Sequence, residues 1–154
     1  MSRPMKRVSD SYTSQVQILT LAHLNGYNRL FGGQLMAWMD IVAGVTARRH
    51  AGKNVTTVRV DGFEFHLPAH ANDTLSFTGH VAYAGNTSMM VKVEAFVEKL
   101  DGEKQLADSA WFMMVALDEN ERPTAVPGIL PETDEEKEEY EFAKKLKAKM
   151  IKTC

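Results

Sequence analysis

The sequence is short of several features that mark particular classes of protein. It has one cysteine, Cys154, at its last position, so no internal disulfide can form and a reducing, cytosolic compartment is expected. Its net charge of -2 gives no sign of a nucleic-acid-binding surface. The histidines lack metal-ligand spacing, so we predict no metal site. We expect all of them at the surface or at an interface: His23, His50, His66, His70 and His80.

Signals for secretion and for membrane insertion are also missing. The first residues are basic, but the apolar core of a signal peptide does not follow them. The longest apolar stretch, Leu30 to Ala47, is interrupted by Gly32-Gly33, Gln34 and Asp40, each of which is unfavourable in hydrocarbon. We therefore expect neither a leader nor a membrane span.

The sequence does contain the strand and helix patterns of a single domain. Its 154 residues suffice for a single core without disulfides or metal. Thr133 and Glu136 have capping-box spacing before a charged segment, which predicts a C-terminal helix. The other predicted elements are a strand at Ser14–Leu21, a helix from Gly32 to about Ala51, and strands at Val55–Leu67, Thr74–Tyr83, Thr87–Leu100 and Lys104–Leu117.

Turn residues and shifts of apolar phase refine the predicted sheet. Asp101-Gly102 predicts a hairpin between the last two strands. The apolar phase changes across Asp61-Gly62, which predicts a bulge there. The strand ending at Leu117 is apolar on both faces over its second half, so it should be interior or covered by a partner.

One apolar helix against a curled antiparallel sheet is an α+β architecture, and the order of elements matches the hot dog fold. We assign residues 1–127 to this domain, with its core beginning at about residue 12. Residues 128–154 form a charged helical tail, which we expect to be solvated or packed against a partner.

Asp40 is the most informative residue of the predicted helix. It is the only charged residue between Arg29 and Arg48. Apolar side chains occupy the whole circumference of this helix, as in a helix buried in a core. No lysine or arginine lies within intrahelical reach, so the carboxylate needs a hydrogen-bond donor from elsewhere. A buried acid that caps a loop or fixes a dimer would explain it, and so would a functional site, for which Asp40 is therefore a candidate.

From Asn25 to Asp40 the chain resembles the acyl-CoA thioesterase branch of the hot dog superfamily. In that family an Asn precedes a Gly-Gly pair by seven residues and an acid follows seven to eight residues later, offsets that Asn25, Gly32, Gly33 and Asp40 keep. The similarity covers nearly the whole domain, from Ser14 to Pro127, through the segments Val55–Val60, Phe65–Pro68, Gly85–Met89 and Val115–Asp118.

The resemblance implies hydrolysis of acyl-CoA to a free carboxylic acid and CoA, with Asp40 as general base or as nucleophile. Asn25, from the partner subunit, would orient the water or the thioester carbonyl, although Asn-Gly is more commonly a simple turn. The N–H of Gly33 at the helix start would stabilise the oxyanion. The residues that would contact substrate are Gly32, Thr57, Asn86, Thr87 and Ser88.

Two positions depart from the family pattern. Asn28 stands where the family usually has Gly, and asparagine tolerates a positive φ, so the turn should survive. Asn86 stands where the family often has Arg or Lys, so a contact to a CoA phosphate should be weaker. The resemblance further implies no cofactor besides CoA itself, and a homodimer with shared active sites that often assembles into a trimer of dimers, a hexamer.

Two other functions stay open on the sequence alone. A hot dog domain could bind acyl-CoA without turning it over, and the missing cation at Asn86 would fit weak or altered binding. A hydratase is disfavoured because no histidine is paired in sequence with Asp40. The acyl chain length cannot be inferred, since residues that could line a tunnel could equally belong to the core: Met36, Trp38, Phe63 and Phe65.

Overall fold

The computed structural model describes residues 3–152, apart from the side chain of Lys152, and Cys154 therefore lies outside the described residues. Two short 3-10 helices, Val8–Ser11 and Leu21–His23, accompany the regular elements. The strands are β1 Met5–Arg7, β2 Thr13–Ile18, β3 Asn54–Asp61, β4 Thr74–Ala84, β5 Ser88–Glu98, β6 Lys104–Leu117 and β7 Gly128–Leu130, and the helices are α1 Gly32–Ala51 and α2 Asp134–Lys152.

The main sheet has five antiparallel strands in the order β2-β4-β5-β6-β3, with α1 packed across one face. This arrangement confirms the predicted α+β fold. Strands β1 and β7, which the sequence did not reveal, form a small parallel pair. Within residues 3–152, no helix is long and apolar enough to cross a membrane.

Helix α1 begins and ends where the sequence predicts. Gly52, at φ 66°, terminates it in a left-handed conformation, and its N–H donates to the carbonyl of Arg48 at 2.8 Å. The helix approaches β4 closely at Gly79, where a Cβ atom would lie 2.6 Å from Thr46 Oγ1 and 2.9 Å from Val42 Cγ1. A glycine is therefore needed for α1 to bury its apolar face against the sheet.

The expectation that α1 is buried all round is wrong for this chain. Met39, Val42 and Ala43 are fully buried, but Ile41 is 53% exposed and Asp40 is half-buried. An apolar side chain gains little from facing water, so the exposed flank is a candidate for contact with another molecule.

Strand β3 is shorter than predicted. It ends at Asp61 because Gly62 takes a φ of 75°, and residues 62–73 run on without a regular strand. The bulge in the pairing of β3 with β6 lies between Thr57 and Arg59, not at Asp61-Gly62. The predicted strand before α1 likewise ends at Ile18, and the chain then forms the 3-10 helix Leu21–His23.

Helix α2 covers the face of the sheet opposite α1. The predicted capping box is present: Thr133 Oγ1 accepts from the Glu136 N–H at 3.1 Å, and the Glu136 carboxylate accepts from the Thr133 N–H at 3.4 Å. Ala143 and Met150 are buried against Met90 and Met113 of the sheet. The tail therefore packs on the sheet of its own chain. This packing explains why β6 is apolar on both faces.

His50 also differs from expectation, since it is fully buried in the last turn of α1. Its Nε2 lies 2.7 Å from the carbonyl oxygen of Pro127, to which it donates, and burial lowers the pKa of the imidazole. The neutral ring thus fixes the segment that leads into β7.

Candidate functional site

Asp40 finds its polar partner on the neighbouring strand. Thr57 of β3 donates its hydroxyl to Asp40 Oδ1 at 2.6 Å, and the same Oγ1 lies 3.3 Å from the sulfur of Met114. Thr57 is paired in register with Met114 of β6, just before the bulge, so its side chain faces α1. The single hydroxyl proton serves the carboxylate, since a thioether is the weaker acceptor.

This pair opens into a groove of about 450 Å³, which we call the Asp40 groove. Its lining includes the carboxylate, the hydroxyl of Thr57, and the exposed Arg48 two turns further along α1. Gly44 leaves open space beside it, because a Cβ atom there would meet nothing within 4 Å. A water or an acyl group can therefore reach the carboxylate from outside the chain.

The loop before α1 holds Asn25 in a tight turn. Asn25 Oδ1 accepts from the N–H of Tyr27 at 2.8 Å and from the N–H of Arg29 at 3.3 Å. Asn28 adopts a φ of 60°, as predicted for an asparagine in place of glycine. The carboxamide oxygen thus serves the turn, while the Nδ2 amino group has no hydrogen bond within residues 3–152 and is free to donate.

The two glycines that follow lie at the first turn of α1. The carbonyl of Phe31 accepts from the N–H groups of Gln34 and Leu35 at 3.0 and 3.2 Å, which leaves the N–H groups of Gly32 and Gly33 without a partner in the described chain. A Cβ at Gly32 would lie 2.9 Å from the Phe65 ring. The glycines thus let the ring of Phe65 lie close to the helix start, and two free donors stand at the positive end of the helix dipole.

Asn25 and Gly32 line a second cavity, of about 290 Å³, which we call the Asn25 cavity. Phe65, His66 and Leu67 form one of its walls, whereas Gly33 is exposed beside it. Of the four proposed tunnel residues, Phe65 alone lines this cavity, and Trp38 is buried against Phe77 in the core.

One chain does not bring the two regions together. No residue lines both the Asn25 cavity and the Asp40 groove. Gly32 and Asp40 are separated by about 12 Å along α1, at 1.5 Å per residue. The structure therefore joins Asp40 to Thr57 and Asn25 to Gly32, but it leaves these pairs apart.

The turn that carries Asn86, Thr87 and Ser88 lies outside both regions. Asn86 is exposed, Thr87 is half-buried, and the Ser88 hydroxyl is buried without a partner in the described residues. Two cations that the sequence analysis did not identify stand at this turn. Arg3 donates to the carbonyls of Gly85 and Val126, and Lys147 of α2 reaches the same glycine.

Burial, followed by the charge of Arg3, lowers the pKa of Lys147. Its ammonium also lies 5.7 Å from the centroid of the Tyr83 ring. Arg3 and Lys147 come from distant segments and meet at the turn beside Asn86, which sequence spacing alone could not reveal.

A second isolated acid, Asp108 of β6, was missed by the sequence analysis. It is fully buried. Burial raises its pKa to about 6, although hydrogen bonds from the backbone of Glu64 and Ser109 act to lower it. The signal was available, because Asp108 is the only charged residue between Lys104 and Asp118, just as Asp40 is alone in its helix.

Comparison with known proteins gives a consistent set of relatives. The sequence model of the Thioesterase superfamily matches residues 27–103. An uncharacterised acyl-CoA thioester hydrolase of Bacillus subtilis is 38% identical over 73% of this chain and 66% of its own length. The cytosolic acyl coenzyme A thioester hydrolase of Rattus norvegicus is 31% identical over 89% of this chain, which spans 37% of that longer protein.

Solved structures agree with these sequence matches. The acyl-CoA hydrolase of Staphylococcus aureus, in complex with butyryl coenzyme A, coenzyme A and coenzyme A disulfide, superposes with a TM-score of 0.89 at 35% identity, covering 97% of this chain and 94% of that one. An apo-hexameric acyl-CoA thioesterase superposes with a TM-score of 0.92 at 34% identity, covering 97% of each chain.

Proposed function

Because this chain belongs to the thioesterase superfamily, with the hot dog fold, we propose that it hydrolyses acyl-CoA to a free carboxylic acid and CoA. The resemblance seen in the sequence is confirmed by these relatives. The observation that carries the proposal is the hydrogen bond from Thr57 to Asp40, which presents a fixed carboxylate to an open groove.

In the proposed reaction, Asp40 takes a proton from a water molecule while the water oxygen attacks the thioester carbonyl carbon. The carbonyl oxygen becomes an oxyanion, and the free N–H groups of Gly33 and Gly32 stabilise it at the helix start. Collapse of the intermediate breaks the C–S bond, and the departing thiolate of CoA takes up the proton. The Nδ2 group of Asn25 orients the water or the carbonyl.

A second copy of the chain would complete this site. The exposed flank of α1 at Ile41 and the outer edge of β3, with Val58 52% exposed, lie beside the Asp40 groove. An unpaired sheet edge and an apolar helix flank are surfaces that proteins usually cover. We propose a homodimer in which the Asn25 cavity of one subunit meets the Asp40 groove of its partner. The hexameric relative supports association of three such dimers.

Spacing in a related enzyme supports the chosen residues. Structures of the Staphylococcus aureus hydrolase include variants in which an asparagine, an aspartate or a threonine is replaced by alanine. The aspartate follows the asparagine by 15 residues, and the threonine follows the aspartate by 17 residues. Asn25, Asp40 and Thr57 have the same intervals.

Contacts to the rest of CoA stay predictions. Gly32 lines the Asn25 cavity and Thr57 lines the Asp40 groove, so both can reach a substrate bound there. Asn86 and Thr87 are accessible at their turn, and Arg3 and Lys147 stand beside them. The hydroxyl of Ser88 is buried in the single chain, so it can contact CoA only after the side chains around it move.

The test is release of free thiol from acyl-CoA thioesters of increasing chain length, monitored with a thiol reagent. We expect saturable hydrolysis by the purified protein, and an unaffected Glu138→Gln variant, which changes an exposed acid of α2, as the matched control. Saturable binding of CoA without thiol release for any chain length would instead identify a non-catalytic acyl-CoA-binding domain.

A further inference from the structure

Residues 62–69 form what we call the wall segment, because residues 65–69 line the Asn25 cavity, and this segment is attached to the sheet at a few points. Its residues are not part of a strand or helix. The N–H of Glu64 donates to Asp108 Oδ1 at 3.0 Å, and the N–H of His66 donates to the carbonyl oxygen of Ala107 at 2.9 Å. Both bonds lead to consecutive residues of β6, on either side of Phe65.

Phe65 lies between these two bonds and covers the start of α1. Its ring approaches Gly32 so closely that a Cβ atom there would be 2.9 Å from Phe65 Cζ. A second ring, Phe63, packs edge-on against it with centroids 5.3 Å apart. The position of the wall segment therefore decides what surrounds the free N–H of Gly32.

Holding this segment with a buried carboxylate is unfavourable for the free energy of folding. Asp108 is fully buried, and its Oδ2 has no hydrogen-bond partner among the described residues. A neutral side chain could accept one hydrogen bond without that cost. The nearest charges that act on it, Glu64 and His66, lie on the wall segment itself and are largely exposed. Core packing alone does not account for an acid here.

We propose that Asp108 is a positioning residue for the active site: it ties the wall segment to β6, so that Phe65 covers Gly32 and the Asn25 cavity keeps its shape. This inference rests on the proposed hydrolysis, since Gly32 matters through the oxyanion that its N–H would face. Asp108 acts through the Glu64 amide and Phe65, without touching the substrate.

The expected effect follows from geometry. Without the bond to Glu64, the wall segment is held at His66 alone on this strand, and Phe65 can swing away from the helix start. Water then enters beside the oxyanion donors, and the acyl group loses its fixed orientation. Misplacement of a reacting group by about 1 Å can cost up to about a hundredfold in rate.

The test compares Asp108→Ala, which removes the acceptor, with Asp108→Asn, which keeps an oxygen in the place of Oδ1. We expect Asp108→Ala to lower kcat by about tenfold or more while its Tm is unchanged or higher, because a buried charge has been removed. Asp108→Asn should restore most of kcat. Glu64→Ala is the matched control, since it deletes an exposed side chain but keeps the N–H donor.

Glu64→Pro removes the donor from the other side of the bond and covers the case in which Asp108→Ala does not fold. It should reproduce the loss of kcat, and amide hydrogen exchange at His66 should quicken in both variants. Wild-type kcat and wild-type exchange in Asp108→Ala would overturn the proposal, as would equal losses in Asp108→Ala and Asp108→Asn. If the unaltered protein released no thiol, the proposed function would fail, and amide exchange would still decide whether Asp108 holds the segment.

Discussion

The Asp40 groove and the Asn25 cavity hold their polar groups by different means. In the groove, Asp40 and Thr57 stand on a helix and a strand whose packing fixes both side chains. In the cavity, Asn25 and Phe65 stand on irregular segments that a few hydrogen bonds hold in place. The proposed base therefore stands on regular secondary structure, while the groups proposed to orient substrate stand on loops.

The comparison also shows that each region lacks what the other has. The groove has a carboxylate without free backbone donors at a helix start, and the cavity has those donors without a carboxylate. Two copies related by a two-fold axis would bring each pair together twice. Substitutions on either side should thus affect the same reaction.

The largest effect is expected for Asp40→Asn. The amide keeps the shape of the carboxylate but cannot accept the proton from water, so kcat should fall by about a thousandfold. Thiol release and circular dichroism on the same preparation measure activity and folding. Retention of more than half of wild-type kcat would show that Asp40 is not the base.

Asn25→Ala tests whether the two regions belong to one site. We expect a loss of about a hundredfold in kcat, because the variant loses the Nδ2 donor and also the two backbone hydrogen bonds that Oδ1 accepts in the turn. Mixing Asn25→Ala with Asp40→Asn subunits, after dissociation and reassembly, should restore about a quarter of wild-type activity, since mixed dimers contain one intact site. No recovery from a mixture proven to contain mixed dimers would place both residues in the same subunit's site.

Thr57→Val should have a smaller effect, about tenfold in kcat, because Asp40 keeps its charge but loses the hydroxyl that orients it. Thr57→Ser is the matched control, since it keeps the donor and should stay near wild type. Steady-state kinetics separate kcat from KM. If serine and valine lowered kcat equally, the hydrogen bond would not be the reason for the loss.

The last prediction concerns the stability of the cavity wall instead of kcat, and the effect depends on pH. The pKa of Asp108 rises from 3.8 to about 6 on folding, so the folded state binds the proton more tightly than the unfolded state. The unmodified protein therefore loses stability as pH rises from about 4 to 6, by up to about 3 kcal/mol, and the deficit persists above pH 6. Asp108→Asn should be the more stable protein at pH 7.5, with the difference vanishing near pH 4.

Thermal unfolding of both proteins at several pH values measures this difference. His50, whose pKa is lowered by burial, weakens both proteins equally as pH falls and cancels in the comparison. A constant difference between the two melting temperatures from pH 4 to pH 7.5 would contradict the buried, proton-binding state of Asp108.

Much of the fold could be predicted because its signals are local. The bounds of α1 followed from Gly32 and Gly52, and the capping box of α2 followed from Thr133 and Glu136. The end of β3 could not be predicted, because its apolar run continues past Asp61 and the break comes from the backbone of Gly62. Strand β1 was missed because its three residues pair with β7, more than a hundred positions away.

The residues of the candidate site also divide into those that the sequence predicted and those that it did not. Asp40 stood out as a lone acid in an apolar run. Thr57 was suggested by the resemblance as a substrate contact, and its hydrogen bond to Asp40 was not predicted. Asp108 had the same signal as Asp40 but on a strand, where its burial depends on how residues 62–69 fold over it. Arg3 and Lys147 could not be found, since two distant chain segments converge at Gly85.

By itself, the sequence determined the class of fold, the long helix with its central acid, and the glycines at the start of that helix. These depend on periodicity, turn chemistry and the cost of an unpaired charge, which act over a few residues. The tertiary structure alone decided that Asp40 faces an open groove with Thr57, and that Asn25 lies in a separate cavity. Those outcomes depend on strand register and on which surfaces stay uncovered, and both arise between residues far apart in the chain.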